Sequence, residues 1–180
     1  MKNSLTSFKA IAATFALLLL LTACGGKAAE SSTTPEEGKA LTENAETAPQ
    51  ATGGFDAPVV TPDKVSYTLS SPSHFVTGQF AAGQLPGQLD QKFTLSITNN
   101  STADLDLATL IVMGSTPAGV CADIFDGDNS MEGAPTDPLA VGASTTFGWG
   151  LSCPGAVGDE FTVALTNAGV SIVEVKGKLA

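Results

Sequence analysis

"KFTLSITNN", residues 92–100, decides the fold. Phe93, Leu95 and Ile97 alternate with Lys92, Thr94, Ser96 and Thr98, so an extended chain presents one apolar face and one polar face. The run then stops on two asparagines, which favour a turn. The same period of two recurs in "VSYTL" (65–69), with Val65, Tyr67 and Leu69 on one face, and in "FTVAL" (161–165), with Phe161, Val163 and Leu165. "TFGWGLSC" (146–153) groups Phe147, Trp149, Leu151 and Cys153. "ATLIVMG" (108–114) is a more continuous apolar run, and "VSIVEVK" (170–176) closes the chain.

Turn signals separate these runs: "SSPS", "LPGQ", "TNNSTAD", "STPAG", "DGDNS", "VGAS" and "CPGAVGD". No segment after residue 55 carries a convincing helical stripe. The pattern predicts an all-β domain over residues 56–180, an immunoglobulin-like antiparallel β-sandwich of roughly seven to eight strands. An eight-stranded barrel satisfies the same alternation and stays open as the alternative.

The beginning of the chain reads differently. Lys2 and Lys9 precede an apolar run from Ala10 to Leu21 that only Thr14 interrupts. That is short of the ~20 residues a transmembrane helix needs, and it fits the ~7–15-residue apolar region of a secretory signal. Leu21-Thr22-Ala23-Cys24 resembles the lipobox of bacterial lipoproteins. The resemblance implies a signal peptide over residues 1–23, cleavage after Ala23, and a diacylglyceryl group on the Cys24 sulfur. Two acyl chains hold a protein stably at a bilayer. The expected location is therefore the extracytoplasmic face of the cell membrane, lipid-anchored, with the membrane as a partner through that anchor.

Cleavage removes Lys2 and Lys9 and no acid, so the formal charge moves from −10 to −12, and the chain contains no arginine. Nucleic-acid binding depends on neutralising phosphates with Lys and Arg, so no nucleic-acid partner is expected. Residues 24–55 form the lipidated N-terminus and a linker. "GGKAAESSTTPEEGKALTENAETAPQATGG" has Leu41 as its sole large apolar side chain, a composition expected to be disordered. Thirty such residues reach about 30 Å.

A second resemblance rests on "KFTLSITNNSTADLDLATLIVMGS" and "PLAVGASTTFGWGLSCPG", with a cysteine between them. A strand ending in Thr-Asn-Asn, a Gly-Ala-Ser-Thr turn opening a strand and an aromatic at that strand's centre resemble the immunoglobulin-like domain of Gram-positive extracellular lipoproteins. In outline they are similar to the mycobacterial immunoprotective extracellular antigen superfamily. The resemblance implies the sandwich and no particular chemistry.

With Cys24 lipidated, Cys121 and Cys153 are the two thiols left in an exported chain, the situation in which a disulfide forms. Two buried free thiols are the alternative, and the spacing is unlike a C-x-x-C redox pair. One conflict stands. Alternation from Cys121 puts Asp123 on the same face, so either that strand is very short or the bridge lies at a sheet edge.

Catalytic chemistry finds little support. His74, the single histidine, reads as an exposed residue at the start of a strand, with no nucleophile motif beside it. One histidine and a bridged cysteine pair supply too few ligands for zinc or copper. No cofactor is expected. The acidic run "DIFDGDNSMEGAPTD" (123–137) does gather hard oxygen ligands around glycines, and Asp123, Asp126, Asp128 and Glu132 are its calcium candidates, beside Asn129 and Asp137. Its spacing does not fit the twelve-residue calcium loop, and a solvated turn is the preferred reading.

The function expected is a membrane-anchored, non-enzymatic binding or adaptor domain for an extracellular protein or small ligand. A passive envelope-structural lipoprotein is the alternative. A calcium-dependent binding module and a hydrolase rank below it.

Overall fold

The computed structural model describes residues 48–180. The expected signal peptide, Cys24 and the expected linker as far as residue 47 lie outside the described residues. Among the described residues no helix is long and apolar enough to cross a membrane.

Eleven strand segments run in the order β1 (Ala51–Gly54), β2 (Val59–Val60), β3 (Val65–Leu69), β4 (Ser73–His74), β5 (Leu89–Asn99), β6 (Leu110–Thr116), β7 (Gly119–Val120), β8 (Ala122–Ile124), β9 (Ser144–Cys153), β10 (Glu160–Asn167) and β11 (Val170–Lys178). They form two sheets, the first ordered β1-β11-β10-β6-β7 and the second β2-β3-β5-β9-β8, with β4 also on β5. All pairs are antiparallel except β1 with β11. The fold is the antiparallel β-sandwich that the alternation predicts.

The segments reduce to eight runs of chain. β3 and β4 both lie along β5, separated by a break at Ser70–Pro72 where the chain cannot keep the ladder. There the Thr94 amide donates to Ser70 Oγ at 2.9 Å, a side-chain oxygen standing in for a backbone carbonyl. β1 and β2 belong to different sheets, as do β7 and β8, so two runs cross from one sheet to the other.

Alternation places the core where the sequence puts it. Phe93, Leu95 and Ile97 of β5 face Val163, Leu165 and Phe161 of β10 in one apolar cluster with Val65, Tyr67, Leu69, Trp149, Leu151 and Val175. Burying each such side chain contributes about 1.5–3 kcal/mol. The two ends of β5 turn polar groups inward. Asn99 is buried and fully engaged: its Nδ2 donates to the carbonyls of Leu139 (2.8 Å) and Ala103 (2.9 Å), and its Oδ1 accepts from Ser101. At the other end Gln91 exchanges both amide bonds with the backbone of Ala180, at 2.9 and 3.0 Å. Both of these buried amides are thus satisfied, which removes the desolvation penalty they would otherwise carry.

One boundary is corrected. β1 lies inside the stretch assigned to the linker on composition, and Phe55 stacks on Phe161 with centroids 5.8 Å apart. A strand held on β11 through ladder hydrogen bonds, with Ala51 packed against the core, needs no large apolar side chains, so "ATGG" carries no signal that composition could register.

Candidate functional site

The outer face of the second sheet is not bare. After β4 the chain from Phe75 to Ala82, and after β8 the chain from Ile124 to Met131, fold over it as a third layer. Phe75, Ile124 and Met131 form a small buried cluster there, with Ala81 packed against it. Backbone pairing between Ala82 and Phe125 (2.9 Å each way) and between Asp126 and Met131 (3.0 Å each way) holds the layer together. β9 makes room for it with two outward-facing glycines. A Cβ on Gly148 would stand 2.7 Å from the Ser130 carbonyl oxygen, and one on Gly150 would stand 2.7 Å from Met131 Sδ.

Asp126 is the joint of this layer. It is 2 % exposed, and it caps a single 3₁₀ turn at Gly127–Asn129. Its carboxylate accepts from the Gly78 amide (2.7 Å), from Asn129 Nδ2 (2.8 Å) and from the Asp128 amide (3.1 Å). The Gly78 hydrogen bond, reinforced by those from Asn129 and Asp128, holds this carboxyl below the usual carboxylate range against the opposing effect of burial.

The four acidic side chains named as calcium candidates do not converge. Asp123 turns to the indole of Trp149, whose Nε1 donates to its Oδ1 at 3.0 Å. Asp126 has its lone pairs taken by N–H donors, Asp128 is exposed beside it, and Glu132 is exposed beyond Met131. Among the described residues no three Asp, Glu, His or Cys side chains are grouped to hold a metal ion. The clustering in sequence serves a turn.

Where the third layer stops short of β4, a cavity of about 200 Å³ remains. Lys92 and Thr94 of β5 and Gly148 of β9 form its floor, Ser70 and Ser73 one wall, and Asn129 and Met131 the other. Thr94 and Gly148 are register partners, so the absent side chain at Gly148 opens the floor. Lys92 Nζ sits 5.7 Å from the centroid of the Phe75 ring, within reach of a cation–π attraction.

The two segments of the third layer differ in charge: Asp128 and Glu132 are exposed on the one that supplies Asn129 and Met131, and the other is neutral. Residues 75–89 contain no Asp, Glu, Lys or Arg, and Val76 and Phe80 are 84 % and 86 % exposed, with Phe125 half exposed beside them. A second cavity, about 300 Å³, lies by Glu160, Thr162 and Lys176 of the first sheet, but there the lysine is ion-paired with Glu174 at 2.8 Å.

The remaining sites fall as follows. His74 is exposed at the end of β4, its Nδ1 3.2 Å from the Asp90 carbonyl oxygen. Cys121 and Cys153 are joined by a disulfide. Cys121 stands where the chain leaves the first sheet for the second, its amide still donating to Gly114 (2.9 Å) while Ala122 already pairs with Ser152. β8 is three residues long and lies at a sheet edge, so both conditions that Asp123 required are met. Lys92, Gly148 and Asn129 as cavity residues escape sequence reasoning. Their one signal is the pair of glycines flanking Trp149, which a strand tolerates where another segment approaches closely.

No protein-family model matches the sequence, and no curated protein matches it. Among solved structures, the fold is similar to the secreted Mycobacterium tuberculosis protein MPT63. The identity is 13%, 73% of this chain and 99% of that one are covered, and the TM-score is 0.50. It is also similar to a Bacillus subtilis protein described as a lipoprotein, ycdA, at 11% identity and a TM-score of 0.50, over 73% of this chain. The chain spans 39% of that protein. At these identities the likeness is one of fold.

Proposed function

We propose that this chain is a lipid-anchored extracytoplasmic lipoprotein whose sandwich is a non-enzymatic binding module, with the outer face of the second sheet as its recognition face. One observation carries the second half of this reading: a built third layer that leaves a cavity with a half-buried lysine and that also exposes Val76 and Phe80. Pockets that combine an apolar lining with a few polar groups are where ligands bind, and exposed apolar patches mark interaction surfaces. The anchor half rests on Leu21-Thr22-Ala23-Cys24, and the fold shared with a secreted protein and with one described as a lipoprotein is consistent with it.

Two experiments test it. Cys24→Ala should abolish incorporation of labelled fatty acid, and unchanged labelling would discard the anchor. A photo-crosslinking residue at Thr94, on the outer face of the second sheet, should capture an envelope component in intact cells. The same residue at Met113, on the outer face of the first, should not. Equal yields, or none at Thr94, would end the recognition-face reading.

A further inference from the structure

We infer that the cavity at Lys92 receives the free carboxylate of a small organic acid or of a peptide C-terminus. The inference deepens the binding-module reading and rests on it.

Lys92 is singular among the lysines described. Lys64, Lys176 and Lys178 are exposed, and Lys92 is half-buried. A fully buried lysine is nearly always paired, and Lys92 is partway to that state. Yet the ion pair formed among the described residues, Lys176 with Glu174, does not involve it, in a domain whose acids far outnumber its lysines. Asp90, two residues away on the same face of β5, is not in ion-pair contact with it, and Asp126 is turned to Gly78 and Asn129. The ammonium rests on the Phe75 ring with its hydrogen-bond donors uncommitted among the described residues.

The surrounding groups complement a carboxylate. The Thr94 hydroxyl makes no hydrogen bond among the described residues and can donate to one oxygen while Lys92 meets the other. Met131 lines the opposite wall and offers thioether surface to a short aliphatic group. Asn129 commits its amide nitrogen to Asp126 and to the Val76 carbonyl, which fixes the position of that wall. Size selects the ligand class. About 200 Å³ falls below the ~300–1,000 Å³ of pockets that enclose whole drug-sized molecules, so an end group enters and the rest lies outside, toward Val76 and Phe80.

The test is an NMR titration of the full chain with four probes: N-acetyl-glycyl-alanine, the same dipeptide amidated at its C-terminus, butyrate, and inorganic phosphate. Amides of Lys92, Thr94 and Gly148 should shift with the free dipeptide or with butyrate, and stay still with the amide and with phosphate. Tighter binding of the dipeptide points to peptide ends, and equal binding by butyrate points to small acids; either supports the inference. Lys92→Met should weaken binding about tenfold with little change in Tm, because the contact with the Phe75 ring is all that is lost, and Lys92→Arg should keep part of it. Shifts with the amidated dipeptide or with phosphate, or full affinity in Lys92→Met, would overturn the inference. So would the absence of shifts with every probe. Crosslinking from Thr94 in that last case would leave the binding-module reading standing, and its loss as well would remove both.

Discussion

The indole nitrogen of Trp149 donates to the carboxylate of Asp123 at 3.0 Å, tying the edge strand β8 to the centre of β9. Buried indoles usually find an acceptor, and here it comes from a residue whose own carboxylate stays at the solvent boundary. An acid that sequence logic places awkwardly on the core side of the sheet is thereby the partner of the chain's single tryptophan.

Asp123→Leu should cost about 1 kcal/mol, the scale of one net hydrogen bond, with a shift in Trp149 emission. Asp123→Asn, which keeps an acceptor oxygen, should recover most of the loss. Equal destabilisation by both changes would show that charge matters here and the hydrogen bond does not.

Reduction of Cys121–Cys153 should be costly. The bridge spans a sequence separation of 32 and ties the crossing strand to β9. On the chain-entropy model it contributes about 3–4 kcal/mol. For a domain of this size that lowers Tm by on the order of 10 °C. Mass spectrometry of unreduced protein should find the two residues joined. Free thiols at both positions in exported protein would refute the pairing.

Gly148→Ala should destabilise by about 1–3 kcal/mol, because the new Cβ would lie 2.7 Å from a backbone oxygen that cannot swing away. Gly54→Ala is the control. Its Cβ would meet nothing nearer than 3.9 Å, so its effect should stay within about 0.5 kcal/mol. Denaturant midpoints of the two variants decide the matter.

Acid should loosen the third layer. The carboxyl of Asp126 is held below the ordinary range in the folded chain, so its contribution is complete above the unfolded pKa of about 3.9 and fades as pH falls through and below it. The Gly78 amide should lose hydrogen-exchange protection over that window. Asp126→Ala should remove the protection at neutral pH as well.

Alkali should act through Tyr67, the single tyrosine. Burial, with the Asp63 charge adding to it, pushes the phenol up to about 12. A folded pKa above the unfolded value of about 10 means stability is intact below pH 10 and lost as pH rises through 12. Phenolate absorbance should therefore appear only with unfolding in that window. Titration near pH 10 in folded protein would contradict the burial.

Alternation determined the strands and their core faces, and the pairing into two separate sheets decided sandwich over barrel. Phe93, Leu95 and Ile97, with Phe161, Val163 and Leu165, could be assigned to a core face because strand side chains repeat every two residues and one face must leave water. The cysteine pair was legible for a related reason, since a chain read as exported is expected to join two spare thiols. The strand β1 was not legible, because "ATGG" pairs through its backbone, and backbone hydrogen bonding leaves no mark on composition. Nor were the roles of the acidic residues. Asp123, Asp126 and Asp128 look alike in sequence, and only tertiary contacts separate an indole's acceptor from a loop's joint and from an exposed neighbour. The cavity belongs to the same class. Lys92 is a polar-face residue of an ordinary strand until a loop some forty residues away folds over Gly148 and Gly150, leaving a gap beside its ammonium. Periodicity reports which side of a strand is dry, whereas what covers the wet side depends on distant segments whose approach no local pattern encodes.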